Sequence, residues 1–164
     1  MLPLGFKPAQ ALVEFALVLP VLLVFLLGTI DLGRGLVFGV AVQQGAREAA
    51  RVGAAAALDS TVTDPVVLDR LIAASAPALV GCVRVLNTEQ TCGGGRWALS
   101  IKLTPPSGAR TYGSLDEARR NGAEQLSGSR LEVTTRGSVA LLADLLPLGL
   151  GQISVQGQAV MVVI

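Results

Sequence analysis

From Ala11 to Ile30 the chain is apolar, with a single charge at Glu14. Twenty helical residues rise about 30 Å, the depth of a bilayer's hydrocarbon core, so the pattern predicts a membrane-spanning helix near the N-terminus. Pro20 lies inside that span. It removes the hydrogen bond to the carbonyl of Ala16 and predicts a bend there, read either as a tolerated kink or as a point of local melting. From Leu32 to about Leu58 the helical pattern continues with a different composition. Gly35 and Gly39, then Ala46 and Ala50 with Ala49, Gly53 and Ala54, make a low-profile face on which another helix could pack closely. Alanine is also simply a good helix former, and a plain helix would use it as freely. Glu48 and Arg51 are spaced i,i+3 as a surface ion pair.

The segment Asp59–Thr63 breaks this helix. Asp64 is placed to cap a second helix with Pro65 at its first position, and Leu68, Leu71 and Ile72 form one apolar face expected to lie across a sheet; Pro77 limits it. Cys82–Leu86 alternates in part and Arg96–Leu103 more fully, with Trp97, Leu99, Ile101 and Leu103 on one side, which predicts a hairpin with a long turn-rich loop over 87–95. Gly93-Gly94-Gly95 is followed by neither a Lys-Ser/Thr pair nor a helix, so it does not read as a phosphate loop. Ser114-Leu115-Asp116-Glu117 fits a capping box opening a short, polar surface helix to about Leu126. Leu131–Val139 reads as a strand weakened by Gly137. Leu141–Leu148 reads as an apolar loop or short helix. A final strand over Ile153–Ile164 puts Ile153, Val155, Ala159, Met161 and Val163 on one face, and its last residues are apolar on both faces, as in a central strand or one covered by a partner. The fold class is therefore α+β: a long N-terminal helix, then a small antiparallel head.

Composition narrows the chemistry. The 164 residues carry a net charge of +1 with scattered basic residues, which gives no footprint for nucleic acid. Hydrophobic content is 51% but aromatics only 4%, so the apolar mass is aliphatic and no aromatic-lined ligand pocket or cofactor site is indicated. There is no histidine, which removes the commonest general base and metal ligand. No nucleophile, base and orienting group assemble from the remaining inventory, so catalysis is not expected. Cys82 and Cys92 flank a polar turn. In an oxidising compartment such a pair reads as a disulfide, with unpaired thiols or half of a metal shell as the alternatives.

An ionised carboxylate within a spanning helix is costly and calls for a partner, and Glu14 is such a group. The run Gln10-Ala11-Leu12-Val13-Glu14-Phe15-Ala16-Leu17-Val18-Leu19-Pro20, preceded by a short leader ending in Ala9, resembles the processing site of type IV pilins. With Asp31-Leu32-Gly33-Arg34 after the span and Ala46-Arg47-Glu48-Ala49-Ala50-Arg51 beyond it, the N-terminal third is similar to the TadE-like minor pilins of tight-adherence (Flp) pili. The family usually has Gly before the cut; here it is Ala9. The resemblance implies a prepilin leader over 1–9, cleavage between Ala9 and Gln10 by a prepilin peptidase, and a helix over 10–58 that spans the membrane at about 11–30. It also implies an exported head over 59–164. The mature protein would be a structural or assembly subunit, a minor pilin that primes, caps or enters the pilus. Its Glu14 and Phe15 would set register against a neighbour's N-terminus.

Implied partners are other major and minor pilins, the peptidase, the inner-membrane assembly platform and the lipid bilayer, and the implied role is adhesion-related. Lys7 favours a cytoplasmic N-terminus, although Arg34 weakens the charge rule. Two readings compete. One is a secretory signal peptide, whose apolar region would be shorter and end at a small-x-small site. The other is an uncleaved signal anchor tethering an extracytoplasmic binding or sensor head.

Overall fold

The computed structural model describes residues 8–57, 59–76, 78–108, 110–121, 126–142 and 151–164. Helix α1 runs Pro8–Ala54 and tightens into a 3₁₀ turn at Ala55–Ala57; α2 is Asp64–Ala74 and α3 is Leu115–Arg120. The strands are β1 Glu89–Cys92, β2 Gly95–Thr104, β3 Arg130–Ala140 and β4 Gln152–Val162. They form one sheet in the order β1-β2-β3-β4, antiparallel throughout. The class is α+β.

At 47 residues α1 is about 70 Å long. It starts at Pro8, inside the stretch expected as the leader. Proline suits a helix's first turn, because the N–H it lacks would have no intrahelical partner there. Residues 1–7, with Lys7, lie outside the described residues, as does the segment 143–150 that holds most of the apolar stretch expected at Leu141–Leu148, and Pro77.

The core lies between the upper half of α1 and one face of the sheet. Val42, Ala46, Ala49 and Ala50 on α1 are fully buried, as are Trp97, Leu99, Ile101 and Leu103, the alternate residues of β2. Trp97 sits opposite Gly137 in the β2–β3 register, and a Cβ on that glycine would come 2.2 Å from the indole Cε3. The glycine that weakens β3 by propensity therefore makes the space for the largest side chain of the core.

Several expectations are corrected. The strand expected at Cys82–Leu86 is absent apart from a bridge between Leu86 and Leu99; the partner of β2 is Glu89–Cys92. Gly93 and Gly94, with φ of 57° and 78°, join the two in a tight turn that needs positive φ at both positions, so the hairpin loop is short. Helix α2 does not cross the sheet. It lies along α1 in the opposite direction, with Val67 near Gly53 and Ser75 against Gly45. Helix α3 is six residues long and buries Leu115 and Ala118, so it is less superficial than its polar sequence suggests. Finally, of the two readings of the last strand the central one is corrected: β4 is an edge strand, with Val160, Val162 and the following Ile164 exposed.

The capping box forms: Ser114 Oγ accepts from the Glu117 N–H at 2.9 Å, and Glu117 Oε2 accepts from the Gly113 N–H at 2.9 Å. Asp64 does not cap its own helix. Its two carboxylate oxygens accept from the backbone N–H groups of Leu115 and Asp116, at 2.8 and 3.2 Å, and so secure the start of α3. Arg119 from α3 donates to the carbonyls of Ala56, Asp59 and Ser60 and so ties α3 to the turn that follows α1.

Candidate functional site

The stretch of α1 up to Ile30 touches almost nothing else in the chain. Between Gln10 and Ile30 no residue is buried, and Phe15 and Phe25 present 63% and 75% of their surface. A helix apolar on all sides and uncovered by its own protein needs an apolar solvent, and this one is long enough to cross a membrane once. Glu14 stands exposed in this stretch and makes no ion pair among the described residues. Gln10 and Phe15 are exposed beside it, and Ala9 lies in the first turn of α1. The helix runs through Pro20 without a break.

The next acidic residue after Glu14 is Asp31, which is treated differently. It is only 4% exposed, accepts from the Leu142 N–H at 2.8 Å and lies 3.6 Å from Arg34, whose guanidinium also sits 5.9 Å above the ring of Phe38. The charges that would mark the end of an apolar span are thus turned toward the head and neutralised there. Outward apolar residues therefore continue past the expected span, through Leu32, Leu36, Val37 and Val40. They form a ridge between two shallow apolar grooves of about 290 and 400 Å³, one against β4 over Gly35 and Gly39, the other beside Ala41 and Ala76.

The small residues expected to receive another helix are mostly occupied within the chain. Gly35 faces Ile153 and Gly39 faces Val155, so at these two positions the neighbour is a strand. Ala46 and Ala50 are fully buried in the core. Cys82 and Cys92 are joined in a disulfide with their Cα atoms 5.2 Å apart, pinning the chain after α2 to the end of β1. Gln90 reinforces that pin: its amide donates to the Val83 carbonyl at 3.0 Å and accepts from the Val83 N–H at 2.7 Å. No cluster of three or more metal-ligating side chains occurs among the described residues.

Sequence reasoning missed Asp31 and Gln43. Asp31 announces itself only as a charge directly after an apolar run with Arg34 three residues on, a pattern read for topology rather than for contact. Gln43 has no sequence signal, because its partner lies in the last strand.

Residues 9–51 match the family of TadE-like proteins. Over this segment, about a quarter of its length, the chain is similar to that family. The match begins at the residue before the expected cut, includes Glu14 and the whole exposed stretch, and ends within the part of α1 that carries the head. No curated protein matches the chain, and no solved structure does.

Proposed function

We propose that this TadE-like chain is a minor pilin: an assembly subunit anchored by α1 in the bacterial inner membrane, with a cytoplasmic N-terminus and an exported head, that primes, caps or enters a tight-adherence pilus. The observation that carries the reading is the coincidence of the TadE-like segment with a helix that is exposed, apolar and charged only at Glu14 through Ile30. A prepilin peptidase cuts between Ala9 and Gln10, and the new amine of a neighbouring subunit meets Glu14. In a poorly solvated bundle of helices such a pair is costly to leave unmade, so it sets register between subunits.

Two measurements test this. Intact mass of the membrane-extracted protein should begin at Gln10; a chain still starting at Met1, in cells that process their other pilins, would favour an uncleaved signal anchor holding a binding or sensor head. Glu14→Leu should be inserted at least as well, since it removes about 2.5–3.5 kcal/mol of insertion cost at the helix centre, yet should fail to crosslink to other pilins or support piliation. Normal piliation and crosslinking in that variant would refute the role given to Glu14.

A further inference from the structure

An edge strand offers a row of backbone donors and acceptors to any extended chain that meets it, and β4 is an edge eleven residues long. Gln158 turns both its N–H and its C=O away from β3, toward α1. Alternation along the strand gives the same outward direction to Ser154, Gln156, Val160 and Val162.

In the middle of this row α1 intervenes. The side-chain amide of Gln43 donates through Nε2 to the Gln158 carbonyl at 2.9 Å, and its Oε1 accepts from the Gln158 N–H at 3.1 Å. One carboxamide makes the two bonds that a residue of a neighbouring antiparallel strand would make. Beside it Gly157 lies so close to the helix that a Cβ there would come 2.4 Å from the Val42 carbonyl oxygen, so α1 is seated directly on β4 at this point. At the far end the Ile164 N–H donates to the Ala54 carbonyl at 2.9 Å.

We propose that Gln43 is a plug in the β4 edge, a strand mimic carried on the anchor helix that closes the head to strand addition by a second copy of this chain. Gln43 divides the open edge into two short runs, Gln152 to Gln156 and Val160 to Val162, in place of one template eleven residues long. The occupant to be kept out is another β4. Its last residues, with Val160, Val162 and Ile164 exposed, form an uncharged, β-branched segment of the kind that pairs with itself. Such pairing would also be unproductive. β4 runs alongside α1 in the same direction, with Ile153 by Gly35, Gln158 by Gln43 and Ile164 by Ala54. Two β4 strands paired antiparallel would point their anchor helices in opposite directions, which copies inserted the same way in one membrane cannot adopt.

The test uses the full chain in detergent micelles, read by amide hydrogen exchange and light scattering. In the wild type the Gln158 N–H should exchange at least about tenfold more slowly than those of Val160 and Val162. Gln43→Leu should erase that difference while Val133 in β3 stays protected, and should raise the particle mass with concentration. Gln43→Glu should keep the Gln158 N–H slow, because a carboxylate still accepts from it. The proposal is overturned if wild-type Gln158 exchanges as fast as Val160 and Val162, or if Gln43→Leu changes exchange without raising the mass. Should Gln43→Leu lose protection at Val133 through unfolding, the wild-type comparison and Gln43→Glu decide the matter.

Discussion

The two halves of α1 share one unbroken backbone and differ in what surrounds them. Up to Ile30 the helix carries large aliphatic and aromatic side chains that point outward in every direction, Leu17 and Phe25 among the most exposed. From Asp31 onward the face toward the head is rich in small residues, Gly35, Gly39, Ala46 and Ala50 beside the buried Phe38 and Val42, and there the sheet and α2 come close. Side-chain volume thus follows the neighbour: bulk where a fluid apolar solvent adapts to any shape, small residues where a fixed surface must be fitted. Asp31 marks the change, since its carboxylate is buried while Glu14 is exposed.

One substitution made on both halves should break the symmetry most clearly. Ala50→Phe forces a ring into a fully buried position and should cost the head about 3 kcal/mol, the upper end of overpacking penalties, whereas Ala16→Phe should change head stability by less than about 0.5 kcal/mol. Chemical denaturation followed by Trp97 fluorescence reads both, and equal losses would mean that the lower half also packs on the head.

A smaller effect isolates the head from the anchor. Replacing Cys82 and Cys92 with serine should destabilise the head by about 2–3 kcal/mol, the chain-entropy value for a loop of this size, and leave membrane extraction unchanged. Thiol labelling of the unfolded wild type without reductant should find no free thiol; stoichiometric labelling would contradict the bridge.

The smallest effect is electrostatic. Burial pushes the Asp64 carboxyl above its ordinary value of 3.8, and the charge of Asp116 adds to this, against the pull of the Leu115 and Asp116 N–H groups. A raised acid binds its proton more tightly in the folded state, so this group's contribution is greatest at low pH and is lost as pH rises through the raised value. Glu48 and Asp59, lowered by the Arg51 and Thr61 hydrogen bonds, act in the opposite sense, so the comparison must be with Asp64→Asn. Melts between about pH 4 and about pH 7 should show the wild type gaining on Asp64→Asn as pH falls; a gap that does not vary would mean that folding leaves this carboxyl at its ordinary value.

Much of this architecture can be read from residue order. The alternation of Trp97, Leu99, Ile101 and Leu103 locates β2 and its buried face, and the Ser114 to Glu117 spacing locates a helix start. Strand β1 is not legible by the same means, because Glu89, Gln90, Thr91 and Cys92 have no apolar alternation; the strand is held by its turn, its disulfide and its pairing. The edge position of β4 is equally hidden, since apolar residues on both faces are compatible with a central strand. Within the candidate site the span is legible because it answers to a generic solvent. Gln43 and Asp31 answer to single distant partners, which local pattern does not encode.

The seam between α1 and β4 also has a consequence in time. Gln43 bonds to a residue 115 positions later in the chain, and Asp31 to one 111 positions later. At synthesis rates of about 5–20 residues per second, the upper half of α1 exists for several seconds or more before the strand that covers it has been made. Throughout that wait the part of its inner face that meets β4 lacks that strand. Glycines and alanines expose little apolar area per residue, so the face that must later accept a sheet is also one that attracts few competitors before the sheet exists.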